Sequence, residues 1–191
     1  MGRVTVELLI VFVGVYSAFL LDDWQTAREL RRERDRITAL LQLGIERYQK
    51  LFEGFVLRHE TVNADFRAAL ESGSVPDFGD TFYPAPQYPI EMIRHVLTRE
   101  SYDVFSIDAY VPLTTFVNSL ERLMDVEAKL VALSSQWDPL PPANHPDRDW
   151  LRARAVHRAK RYLTYLDIRM RISADLQKQA TELRQLLASA G

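Results

Sequence analysis

The chain of 191 residues contains no cysteine, which removes disulfides, thiolate nucleophiles and Cys-ligated zinc or iron–sulfur centres from consideration. The redox compartment is left open. Charge of one sign is lacking as well: 24 basic residues face 26 acidic ones, so no bulk field draws the protein to nucleic acid or to a strongly acidic partner. Catalytic signatures are missing too. His59, His95, His145 and His157 are far apart and carry no H-E-x-x-H spacing, the few glycines form no phosphate loop, and no serine sits in a nucleophile elbow. The carboxylate pairs Asp77/Asp80 and Asp103/Asp108 are spaced as turn and cap residues. The expectation is a protein that is not an enzyme, with no metal and no cofactor.

What the chain does have is one long apolar run. Residues 4–21 carry a single charge, Glu7, and as a helix they reach about 27 Å, close to the thickness of a hydrocarbon core. Twelve of them are Val, Leu, Ile or Phe, contributing roughly −4 to −7 kcal/mol on the insertion scale against at most about +3 kcal/mol for a carboxylate at mid-membrane. Insertion wins. Tyr16 and Trp24 suit the headgroup region, where an amphipathic ring keeps its apolar body in lipid and its polar tip in water. A cleaved signal peptide fits less well, because Arg3 is the one basic side chain before the run and Ser17 the one tolerable cleavage site. A buried helix of a soluble protein is the other reading.

Seven residues nearly close two helical turns, so Glu7, Gly14 and Leu21 share a face with Ala18 beside them. The stretch Gly14-Val15-Tyr16-Ser17-Ala18 is a small-xxx-small pattern that admits a second helix closely, and a carboxylate on that stripe favours protein or water over lipid. Glu7, Gly14, Ser17 and Ala18 are therefore the candidate packing residues within the membrane. In the alternative, Gly14 is incidental and Glu7 pairs with Arg3 at the interface.

The segment "ELLIVFVGVYSAFLLDDWQTAR" resembles the opening of a widespread, uncharacterised group of small bacterial inner-membrane proteins. The matching positions are Glu7, Gly14, Ala18, Asp23, Trp24, Gln25 and Arg28, and the likeness covers residues 7 to about 40. A weaker echo lies at "TRESYDVFSIDAY". The chain departs from the group in lacking its basic leader and in having Leu20 at a commonly polar position. The resemblance implies a single span at the inner membrane with the larger portion in the periplasm, and it carries no catalytic motif. Counting basic residues implies the reverse: Arg28, Arg31, Arg32, Arg34 and Arg36 follow the span, which places the larger portion in the cytoplasm. The reading leans to the periplasm.

Beyond Trp24 no glycine or proline interrupts the pattern before Leu43, and residues 25–40 read as a solvated helical stalk. From Leu41 a heptad seam sets in, through Ile45, Tyr48, Phe52, Phe55, His59, Val62, Phe66 and Ala69. His59 interrupts it, as a hydrogen-bonded core histidine or, less readily, as a ligand or pH sensor. Residues 72–89 end the helix. Gly73 can cap it, and Phe78, Phe82, Tyr83 and Tyr88 in that proline-rich loop either fold back on the bundle or form a partner-contact surface. A short helix beginning at Pro89, a long one from about Asp108 to Trp137 with Pro112 in its first turn, and a last one from Asp147-Arg148-Asp149 to about Ser189 complete the chain. The fold class expected is all-α: a transmembrane helix over residues 1–24, a stalk over 25–40, and an antiparallel bundle of long helices over 41–191.

Arg152, Arg154, Arg158, Lys160 and Arg161 concentrate basic charge on the last helix, while Glu121, Asp125 and Glu127 make the preceding one acidic. These two faces either pack together or leave the basic cluster as a contact surface for an anionic partner or lipid. Nucleic acid is not expected, since no reader motif or interleaved aromatics accompany the arginines. Nor is a small-molecule substrate. Taken together these features point to a membrane-anchored accessory subunit whose partners are the lipid bilayer and other integral-membrane subunits. The rivals are a periplasmic sensory or ligand-binding bundle and a self-associating coiled-coil scaffold.

Overall fold

The computed structural model describes residues 2–79, 88, 90–98 and 107–189, with side chains from Phe12 onward except those of residues 92, 98, 107 and 189. The described residues form four helices and no strand: α1 (Gly2–Glu71), α2 (Ile90–Thr98), α3 (Ile107–Ser134) and α4 (Arg148–Ser189). The chain divides into two compact units, Met1–Leu41 and Gln42–Ala190.

In the first unit every residue from Phe12 to Arg36 is exposed. Phe12 stacks on Tyr16 one turn along, with ring centroids 6.2 Å apart, and the Arg28 guanidinium lies 5.2 Å from the Trp24 ring. Both contacts lie along a single helix, at the i,i+4 spacing that brings side chains together on one face.

In the second unit the heptad pattern becomes a core. Ile45, Tyr48, Phe52, His59 and Phe66 of α1 are buried, and Phe55, Val62 and Ala69 are half-buried. Helix α3 contributes Leu113, Phe116, Leu120, Leu123 and Leu130, and α4 contributes Tyr162, Leu166, Arg169, Ser173, Leu176, Ala180, Leu183 and Leu187 at alternating spacings of four and three.

Cross-links fix the relative directions of the three long helices within this unit. Gln42 donates to the Leu187 carbonyl at 2.9 Å and Arg67 to the Asp167 carboxylate at 3.0 Å, so the second half of α1 runs antiparallel to α4. Gln179 donates to Ser119 at 3.3 Å and Arg169 to Glu127 at 3.4 Å, so α3 is also antiparallel to α4. It follows that α1 and α3 are parallel. The parallel pair meets where Tyr48 packs edge-on against Phe116, with centroids 5.5 Å apart. Helix α2 packs on α3, where Arg94 bridges Glu91 and Glu121, each at 2.6 Å.

The ends of the helices have local causes. Helix α1 closes in a Schellman motif: Gly73 takes φ 79°, its N–H donates to Leu70, and the Ser74 N–H donates to Ala69. Helix α4 starts where the Asp147 carbonyl accepts the Leu151 N–H at 2.9 Å. Pro112 differs from expectation: it lies in the second turn of α3, where its missing N–H removes one hydrogen bond of the helix. The helix start expected at Pro89 falls outside the described residues, and α2 begins at Ile90.

Candidate functional site

Three features could carry function. The first is the helical surface around residues 12–24. Phe12 is 68% exposed and Phe19 66%, and more than half the surface of Leu20, Leu21 and Trp24 is open as well. Ser17 and Ala18 are exposed, and a Cβ built on Gly14 meets nothing within 4 Å, so the small-residue stripe has no packed neighbour among the described residues. The Glu7 side chain lies outside the described residues. Among the described residues no helix is long and apolar enough to cross a membrane. Residues 4–11, with six of the twelve Val, Leu, Ile and Phe residues of the expected span, are not described at the side-chain level.

The second feature is a polar layer inside the bundle. Arg169 is 1% exposed and Glu127 5%. The Arg169 guanidinium also sits 5.0 Å from the Phe55 ring, which stacks at 3.8 Å on His59. His59 is fully buried, and its Nδ1 lies 2.6 Å from the Phe55 carbonyl. A carbonyl only accepts, so Nδ1 carries the proton. Burial pushes the imidazole down to about 4, with the Arg169 charge acting in the same direction. Burial raises the Glu127 carboxyl, and Arg169 opposes that shift. Tyr48 and Tyr88 complete the layer with buried hydroxyls that have no hydrogen-bond partner among the described residues. Burial pushes the Tyr48 hydroxyl up to about 12 and raises that of Tyr88. Such a layer can hold charge and set helix register, but it presents no nucleophile with an aligned base. Among the described residues no cluster of His, Cys, Asp or Glu could hold a metal ion.

The third feature is a hollow at the end of the bundle where α1 finishes and α4 begins. Phe78 is 1% exposed and stacks on Tyr162 at 4.8 Å, and Trp137 meets it edge-on at 6.5 Å. A cavity of about 280 Å³ opens beside them, with Arg154 and Arg158 on its α4 wall.

The residues singled out in the sequence are distributed unevenly over these features. Phe78 and Tyr88 fold back into the core, Tyr88 stacking on Phe52 at 6.1 Å, so neither offers a surface for a partner. Phe82 and Tyr83 lie outside the described residues. In the basic cluster, Arg152 donates to the Gly73 carbonyl at 2.7 Å, and Arg158 donates to the Gln136 carbonyl beside Asp138. Both hold the bundle end together, while Arg154, Lys160 and Arg161 are exposed. The acidic side chains of α3 do not meet this cluster: Glu121 pairs with Arg94, Asp125 with Lys129 and Glu127 with Arg169. The antiparallel register opposes Glu127 to Arg169, well beyond the basic run at residues 152–161. The pair is not singled out in the sequence; the one local signal for it is a charge at a core heptad position in each helix. Comparison of the chain with protein-family models, with curated proteins and with solved structures finds no match.

Proposed function

We propose that the chain is a non-catalytic, single-pass, membrane-anchored accessory subunit that docks on and stabilises a larger integral-membrane complex, such as a respiratory or photosynthetic one. The observation that carries this reading is the helix around residues 12–24. It exposes phenylalanine, leucine, valine and tryptophan on all its faces, in a chain whose second unit packs a well-formed core. A helix apolar all round matches a membrane interior or a large protein core, and a patch of this kind left in water is an association site. The run of residues 4–21 extends that surface to the length of a bilayer.

Residues 7–18 supply the docking side. Glu7 on the stripe of Gly14 and Ala18 favours a neighbouring helix over lipid, and Trp24, one turn past Leu21, suits the headgroup zone, with Tyr16 toward the same end of the span. The likeness of residues 7–40 to small inner-membrane proteins supports the bacterial inner membrane and a periplasmic second unit. A phosphatase or fluorescent-protein fusion after Gly191 tests the side: phosphatase activity supports the periplasm, and fluorescence the cytoplasm. Purification in a mild detergent with mass determination tests the role. A defined heteromeric complex supports it, whereas a homo-oligomer or a lone monomer contradicts it in favour of a scaffold or a sensor.

A further inference from the structure

We propose that the hollow at the bundle end binds a small monocarboxylic acid with a single apolar ring or a short branched chain. This goes beyond membrane anchoring, because every wall of the hollow belongs to the second unit. At about 280 Å³ the cavity sits just below the roughly 300–1,000 Å³ range of ligand sites, which suits a small ligand built around one ring or a short branched chain.

The cavity is preformed. Phe78 is locked between Tyr162 and Trp137, and the Gly79 backbone lies so close that a Cβ there would meet Trp137 Cε3 at 3.2 Å. Pro139 and Pro141 stiffen the opposite wall. An apolar body therefore enters without ordering the site first, which removes much of the usual cost of binding.

Charge decides the head group. Arg154 and Arg158 stand one helical turn apart on α4 and line the same cavity, where Asp138, its side chain 89% exposed, is the one carboxylate among the described lining residues. Asp138 lies 4.0 Å from Arg158, a loose contact for an ion pair. Arg158 keeps Nη1 on the Gln136 carbonyl, and the Arg154 guanidinium lies 5.5 Å from the Trp150 ring. Among the described residues two guanidiniums and one solvated carboxylate still leave one positive charge over at the mouth, where Arg154 can give a planar carboxylate two parallel N–H bonds. Asp138 then acts as an internal competitor for the same cations.

The test is calorimetric titration of the full chain in mild detergent with phenylacetate, using phenylacetamide as the neutral control. Saturable binding of the acid and at least severalfold weaker binding of the amide are expected. Arg154→Gln should weaken the acid by about fivefold, the upper end for a solvent-accessible ion pair, and Asp138→Asn should tighten it. Ala155→Phe, placed on the cavity wall, should abolish binding while circular dichroism shows the helices intact. The proposal is overturned by absence of a saturable signal, by equal affinity for acid and amide, or by unchanged binding in a folded Ala155→Phe variant.

Discussion

Arg169 and Glu127 face each other across the α3–α4 interface, with Nη1 donating to Oε2 at 3.4 Å and side chains 1% and 6% exposed. Each occupies a core heptad position, Glu127 between Leu123 and Leu130 and Arg169 between Leu166 and Ser173, so the pair is enclosed by the core and not solvated at an edge. Taking two charges out of water costs several kcal/mol per ion, and their attraction does little more than offset it. The pair therefore serves register more than stability.

Removing one partner should be far worse than removing both. Glu127→Leu alone removes the carboxylate that faces a buried guanidinium and should destabilise by about 3–5 kcal/mol, and Arg169→Met alone, which removes the cation facing the buried carboxylate, should cost about as much. The double variant should recover most of that loss. Urea unfolding followed by circular dichroism measures all three, and a double variant as weak as either single would show that the pair contributes net stability.

The imidazole of His59 gives the bundle an acid limb. Its folded value of about 4 lies below the ordinary 6.5, so below pH 6.5 the unfolded chain takes up a proton that the native state refuses. Stability should be constant above that pH with respect to this group and should fall between pH 6.5 and 4, by roughly 3 kcal/mol in all. The raised Glu127 carboxyl works oppositely, since the native state binds its proton first as pH falls. His59→Gln should flatten the fall, which a series of thermal melts across this window would reveal.

Gly73 ends α1 with φ 79°, in a region that L side chains enter only at a cost. A Cβ there meets nothing closer than the Arg152 guanidinium at 3.8 Å, so the penalty is one of backbone conformation and not of crowding. Gly73→Ala should lower stability by about 1 kcal/mol, read as a small drop in Tm, and Gly73→Asn by less.

Phe78 anchors the loop after α1 to the bundle end through rings from α1, α4 and the α3–α4 connection. Truncating it to alanine should cost roughly 3–5 kcal/mol, whereas Leu57→Ala, at a position 67% exposed, should stay within about 0.5 kcal/mol. Equal effects in chemical denaturation would mean that the ring cluster is not part of the cooperative core.

Much of this architecture was legible from periodicity alone. The seam from Leu41 to Ala69, the glycine cap at Gly73 and the start of α4 beside Asp147 follow from spacing and capping chemistry that act locally. The polar layer was harder to read because each member looks ordinary in its own helix. Glu127 resembles one acid among Glu121 and Asp125, and Arg169 one base among many, until the antiparallel register sets them opposite each other. The hollow was illegible for a related reason: its walls come from residue 78, residues 137–141 and the first turns of α4, which only the folded bundle assembles. The basic run at residues 152–161 misled in the other direction. Its charge density suggests one continuous surface, yet Arg152 and Arg158 spend their hydrogen bonds on the Gly73 and Gln136 carbonyls, and this leaves a smaller patch.

The membrane role proposed for this chain rests on residues 4–24 having lipid as their solvent. The most direct measurement is alkaline carbonate extraction of membranes from cells expressing the untagged chain, set beside a variant with Ile10, Val13 and Leu20 replaced by aspartate. Retention of the native chain in the pellet with release of the triple variant is the predicted result. Recovery of the native chain in the supernatant as a monodisperse monomer would contradict it.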